Sequence, residues 1–319
     1  MTLPTVGDRT GTAASTAVAA EVPKLRRRAR VRANLAGWAF VAPSTVALVV
    51  FVGIPIVAGL IISFTSWDML TAPAFVGIDN YVDLVRDPLM WRSLLNTVYY
   101  AVLTIPGSMV IGLALALAVN RAGWAFKAYR TLFFIPVVSS AVAVSLMWKW
   151  VYNDDFGLFN WILRSVGLPA VGWLSDPNLA LPSVAIVAIW KTMGYNMVFF
   201  LAGLQGIPAQ LYEASAMDGA GWWARLWHIT LPMLSPTTLF IAVVSVIGSF
   251  QVFDQVFVMT QGGPGNATIV YNYYLWQNAF QYFHMGYASA LAYILFLLIS
   301  IVTIFQVKIF NRRVVYDQI

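Results

Sequence analysis

Apolar residues gather in six long runs separated by shorter polar stretches, approximately 37–64, 94–119, 131–151, 183–204, 234–258 and 287–310. A bilayer core about 30 Å thick needs about 20 helical residues, so each run is long enough to cross it. The pattern predicts an all-α membrane protein with six transmembrane helices. Pro55, Pro106 and Pro136 interrupt these runs, and a proline removes a backbone donor and bends its helix. Gly107, Gly112 and Gly248 let neighbouring helices approach closely. Ordinary packing explains such residues, and so do bent helices around a cavity.

Composition agrees with this reading and narrows it. Hydrophobic residues make up 60% of the 319 and charged residues 10%, so too few charges remain to cover a water-soluble surface. The mean hydropathy is +0.74. A soluble enzyme, a disordered chain and a fibrous one are excluded. Cysteine is absent, so there is no disulfide framework or thiol nucleophile. His228 and His284 are the two histidines, so a metal centre is not expected.

Charge orients the spans. With the N-terminus inside, the inner segments carry thirteen Lys and Arg: Lys24, Arg26, Arg27, Arg28, Arg30, Arg32, Arg121, Lys127, Arg130, Arg225, Lys308, Arg312 and Arg313. The outer segments carry four, Arg86, Arg92, Lys149 and Arg164. This is the positive-inside pattern, with both termini cytoplasmic. The first basic cluster resembles a nucleic-acid arm in composition, but the apolar run after it makes a cytoplasmic flank the better reading, so no nucleic acid is expected as a partner. Residues 1–34 read as a disordered tail and not as a signal peptide, 35–313 as the membrane domain and 314–319 as a second tail. The outer loops are too short for a domain of their own. A solute captured outside would therefore be presented by another chain.

One polar stretch, 205–232, stands out. Pro208 suits a helix start, residues 209–217 favour helix, and Gly219 suits a left-handed cap. Trp222 to Ile229 form a second short helix stopped before Pro232. The expected result is a helical hairpin at the membrane surface, with Tyr212, Trp222, Trp223 and Trp227 as interfacial aromatics. Such a hairpin is either a rigid lever or a simple surface element.

The residues Glu213-Ala214-Ser215-Ala216-Met217-Asp218-Gly219-Ala220, followed by Ile229-Thr230-Leu231-Pro232 and Pro236, resemble the E-A-A loop. That loop marks the permeases of binding-protein-dependent ABC importers. Ser215 and Leu226 depart mildly from its consensus. Phe75-Val76-Gly77-Ile78-Asp79-Asn80-Tyr81 resembles a stretch after the first span of carbohydrate-type permeases. Phe253-Asp254, Thr260-Gln261-Gly262-Gly263-Pro264 and Thr268 resemble a stretch after the fifth, and Met285 to Ala290 also fit. The resemblance covers about 35–313. It is to one member of the permease pair found in maltose-type and glycerol-3-phosphate-type importers. The large loop domain and extra leading spans of the maltose-type permease are absent.

The resemblance implies the type I ABC importer permease fold in a bacterial cytoplasmic membrane. It also implies a second homologous permease, an ATPase dimer that holds ATP and Mg, and an extracellular solute-binding protein or lipoprotein. Glu213, Ala214, Asp218, Gly219, Ala220, Leu231 and Pro232 would couple the spans to the ATPase. No catalytic residue and no cofactor of its own are expected, since the chain carries no G-x-x-x-x-G-K-[ST] phosphate loop. The solute is expected to be a sugar, with glycerol-3-phosphate or another polyol phosphate as the alternative.

A sugar path needs hydrogen-bonding groups and aromatic faces in an apolar wall. Lys191, Thr192, Tyr195 and Asn196 in the fourth span, and Ser245, Ser249 and Asp254 in and after the fifth, supply them. Alignment through the motifs puts Tyr195, Ser245 and Ser249 on solute-lining positions of the maltose-type permease. Lys191 and Thr192 fall on such positions with changed residue types, and Val137 and Ala141 are apolar there. A lysine near mid-span costs about 2.5–3.5 kcal/mol to insert. Lys191 therefore faces a cavity, pairs with Asp254, or snorkels to an interface. An ion-coupled secondary transporter and an intramembrane enzyme are the rival classes. The first would need coupling charges, and Lys191 is the one mid-span charge placed; the second finds no histidine cluster, paired carboxylates or thiol.

Overall fold

The computed structural model describes residue 34, residues 37–121 and residues 123–310. The basic cluster at 24–32, Arg312 and Arg313, and both proposed tails lie outside the described residues except for residue 34. The chain divides into two compact units, 1–61 and 62–319.

The described part of the first unit is helical. Helix α1 spans Gly37–Ile62. It widens into a π-turn over Val49–Gly53, where the Ile54 amide donates back to the Val49 carbonyl, immediately before Pro55. Proline cannot donate to the carbonyl four residues back. The wider turn just before it absorbs the misfit.

The second unit begins with a two-strand clasp, β1 (Thr65–Ser66) antiparallel to β2 (Ala74–Phe75), with Thr65 opposite Phe75. Asn80, at the start of α2 (Asp79–Arg86), donates to the Ser63 and Thr65 carbonyls at 2.8 and 2.9 Å. The Tyr81 and Ser63 hydroxyls meet at 2.7 Å. The motif Phe75–Tyr81 is thus a clasp that closes the loop. Helices α3 (Pro88–Val119), α7 (Ala180–Gln205), α10 (Ser235–Phe250) and α13 (Met285–Phe310) then form long spans. Among the described residues five helices are long and apolar enough to cross a membrane, and a pair bent by 97° brings the number to six when the pair is taken as one span.

That bent pair is the main departure from the sequence pattern, which predicts one span over 131–151. The third run is instead two helices, α4 (Trp124–Val138) and α5 (Ala141–Val151), set at 97°. Pro136 sits in the last turn of α4, and the paired serines 139 and 140 form the break. Pro106, by contrast, lies inside an uninterrupted α3. The fifth run also breaks, at residues 251–253, before α11 (Asp254–Met259).

Helices α3 and α7 pack along much of their length. A methyl added at Gly107 would stand 2.7 Å from Ile189 Cδ1, and one at Gly112 would stand 2.6 Å from Asn196 Cβ. Gly248 differs from expectation. Nothing approaches within 4 Å of its added methyl, because it lines a cavity.

The connection between α5 and α7 folds around one side chain. Asn160, in α6 (Leu158–Ser165), is fully buried. Its Nδ2 donates to the Val171 and Asp154 carbonyls at 2.9 and 3.1 Å, and its Oδ1 accepts from the Val171 amide and Trp173 Nε1. Trp173 then packs against Tyr152 and meets Phe159 edge-on. Asn160→Ala strands several of these groups, at about 1–3 kcal/mol each where they stay dry. The expected result is a lower melting temperature and faster trypsin cleavage between 152 and 178. An unchanged melting curve would contradict the role given to Asn160.

Candidate functional site

The hairpin is built from short-range rules. Helix α8 (Ala209–Met217) ends in a Schellman arrangement, in which the Ala220 amide donates to the Ser215 carbonyl at 2.9 Å and the Gly219 amide to the Ala216 carbonyl at 3.1 Å. Gly219 has φ +75°, a left-handed conformation that glycine alone adopts at no steric cost. The returning helix, α9, comprises Trp222–Arg225, a π-turn over Leu226–Thr230 and Leu231–Met233.

The sequence predicts that this helix stops before Pro232. It continues through Pro232 because the π-turn precedes the proline, as in α1. Two contacts close the hairpin. Arg225 Nε donates to the Ala220 carbonyl at 2.8 Å, and the Tyr212 and Thr230 hydroxyls meet at 3.0 Å.

Of the residues given a coupling role, Glu213 and Ala214 are exposed along α8 and Asp218 and Gly219 at the turn that ends it. Ala220, Leu231 and Pro232 are half-buried, the last two at the root of the hairpin. Met217 is 90% exposed and shares the tip. It belongs to the motif, yet an apolar residue in a helix gave no reason to single it out. Tyr212 and Ile229 pack onto a core of Met197, Phe200, Leu204, Leu234 and Ile241. The hairpin is therefore seated on the ends of α7 and α10 and has no independent core.

The same two helices line a cavity of about 380 Å³. Thr192, Tyr195, Asn196, Ser245, Ser249 and Asp254, six of the seven residues placed on the solute path, line it. Tyr100, Ser108, Gln251 and Gln255 join them. Tyr100 and Ser108 went unnoticed because a tyrosine or serine in an apolar run carries no signal of which way it faces. Thr104 and Ser249 hydroxyls lie 3.3 Å apart at the cavity wall. The Tyr195 ring packs against Phe199, tilted, with centroids 4.6 Å apart.

Lys191 is the seventh residue, and its ammonium group points elsewhere. Its Nζ donates to the carbonyls of Ser139, Pro136 and Val137 at 2.8, 3.1 and 3.5 Å. The last carbonyls of a helix have no partner within it, and the lysine caps them where the third span breaks. This course lies outside the three readings of the sequence. Gly194, one turn further on, has no room for a side chain, since an added methyl would overlap the Phe133 carbonyl oxygen.

A second depression, about 540 Å³, lies where α2, α3 and α13 meet the loops at the far end of the spans from the hairpin. Asp68, Asp83, Asp87, Tyr274 and Tyr287 are among its lining. Burial alone would raise the Asp87 carboxyl. The Tyr274 and Tyr287 hydroxyls and the Leu89 amide outweigh it and hold the group below its ordinary 3.8. His284 lines this depression and His228 lies on the hairpin. Among the described residues no cluster of three His, Asp or Glu could hold a metal.

Several spans, two of their runs broken, around a polar cavity and joined to a surface hairpin define a multi-pass membrane transport component. Residues 108–316 match the family of binding-protein-dependent transport system inner membrane components, and the chain belongs to that family. It is 36% identical over 277 residues to the lactose transport system permease protein LacF of Rhizobium radiobacter, covering 85% of this chain and 92% of that one. It is 33% identical over 276 residues to the probable starch degradation products transport system permease protein AmyD of Thermoanaerobacterium thermosulfurigenes, covering 86% and 94%. A chain of the bacterial alginate ABC transporter, solved in complex with an alginate pentasaccharide-bound periplasmic protein, shares the fold. The match has a TM-score of 0.79 at 22% identity, over 91% of this chain and 98% of that one.

Proposed function

We propose that this chain is one transmembrane component of an ATP-driven carbohydrate importer, in which it forms half of the translocation path. The observation that carries the reading is that hairpin and cavity share helices α7 and α10. Movement of the hairpin must then be felt at the cavity wall. In this reading the exposed surface around Glu213, Met217, Asp218 and Gly219 docks on a separate ATPase, which binds ATP and Mg and performs hydrolysis. Closure of the ATPase dimer drives the spans between inward and outward access.

A second, homologous permease supplies the other half of the path. An extracellular solute-binding protein delivers the sugar at the outer depression. The thirteen inner against four outer lysines and arginines of the sequence favour a cytoplasmic hairpin. Support for a sugar comes from the hydroxyl, amide and aromatic lining of the cavity and from relatives named for lactose and starch products.

Affinity purification of the chain from its native membrane tests the assembly. The expected result is recovery of an ATPase and a second permease, with hydrolysis stimulated by a loaded binding protein. A chain that purifies alone and still moves solute would overturn the reading.

A further inference from the structure

We infer that the cavity takes an uncharged, polyhydroxylated sugar and discriminates against anionic ones such as sugar phosphates and uronates. The inference rests on the cavity being the solute site. It starts from what the lining lacks. Among the described residues that form it there is no Lys, Arg or His. The nearby lysine, Lys191, has three ammonium protons, and three backbone carbonyls of the broken span accept from it. Its protons are directed at the hinge and away from the lining, while its charge still interacts with Asp254. The charged side chain that does line the cavity is Asp254, an acid. A bound anion would face that carboxylate across a short distance in a medium of reduced dielectric, which repels it.

What the lining offers suits neutral hydroxyls. The Gln251 and Gln255 amides line the cavity and can donate to sugar oxygens. Ser245 and Asp254 can accept from sugar hydroxyls, and Tyr195 offers a ring on which the apolar face of a pyranose can rest. Asp254 is thus assigned as the residue that sets charge preference.

The absence of cysteine from this chain lets labelling of one introduced thiol be followed on it. Ser245→Cys places one thiol of this chain in the cavity of the whole complex, and Ser249→Cys serves if the first variant does not assemble. The thiol is treated with cationic, neutral and anionic methanethiosulfonates, each rate normalised to that of a free thiol. The cationic reagent is expected to react at least about tenfold faster than the anionic one, and Asp254→Asn should bring that ratio towards one.

Glucose, lactose and maltose are expected to slow labelling where glucuronate and galacturonate do not, and Tyr195→Leu should weaken that protection. Equal rates, faster anionic labelling, or protection by the uronates in place of the neutral sugars overturns the inference. Charge preference without protection by any sugar would instead overturn the carbohydrate reading.

Discussion

Gly219→Val is expected to leave the chain inserted in the membrane and to lower ATP-driven uptake by more than about tenfold. The glycine holds φ +75° at the end of α8. A left-handed conformation costs an ordinary L-residue about 1–2 kcal/mol, and a β-branched one is a true outlier there. The valine variant relieves that strain by giving up the two bonds from the Gly219 and Ala220 amides that close the helix. The tip then loses its fixed relation to Arg225, whose guanidinium donates to the Ala220 carbonyl. Gly219→Asn, which tolerates this conformation better, is expected to retain much of the uptake. The ordering Gly, then Asn, then Val in uptake at equal membrane level is the result to look for. Wild-type uptake by the valine variant would remove the coupling role from the hairpin tip.

Gly194→Val is expected to prevent assembly of a stable complex. An added methyl at Gly194 overlaps the carbonyl oxygen of Phe133 and stands 3.3 Å from the Phe134 Cα. Overpacking in a core costs about 1–3 kcal/mol when side chains can move aside. Here the obstacle is backbone, so α4 itself must lift from α7. Lys191→Met is the milder change at the same joint. It keeps the stem and strands the carbonyls of Pro136, Val137 and Ser139, at about 1–3 kcal/mol for each left dry and unpaired. Melting of the detergent-purified complex reads both. The account expects no recoverable complex for Gly194→Val and a clear drop in melting temperature for Lys191→Met. A Lys191→Met complex of unchanged stability but altered solute preference would return the lysine to the cavity.

Particular residues show how far sequence reaches. The long spans were legible because a bilayer imposes a length on apolar runs, and Gly219 was legible because few residues cap a helix as glycine does. Six polar residues of the seven expected on the path do line one cavity. Helical spacing places five of them on related faces of α7 and α10, so their grouping follows from local rules. Asp254 reaches the cavity from α11, beyond the break in the fifth run. The break in the third span was not legible. Pro136 stands at a break while Pro106 lies within an unbroken helix, and the difference rests on what caps the loose end. That cap, Lys191, binds backbone carbonyls more than 50 residues away, and a backbone acceptor leaves no mark in sequence. The π-turns before Pro55 and Pro232 escaped for a similar reason. A proline announces a disturbance and says nothing of how the preceding turn absorbs it.

The most direct test of the account is to count ATP hydrolysed and solute accumulated in the same proteoliposomes. These would contain the purified complex, with and without its loaded binding protein. Hydrolysis and accumulation should rise together when the binding protein is added. With Gly219→Val, accumulation should fall away even where the complex remains intact. Accumulation that proceeds without ATP, or that follows an imposed ion gradient, would contradict it and make this chain a transporter in its own right.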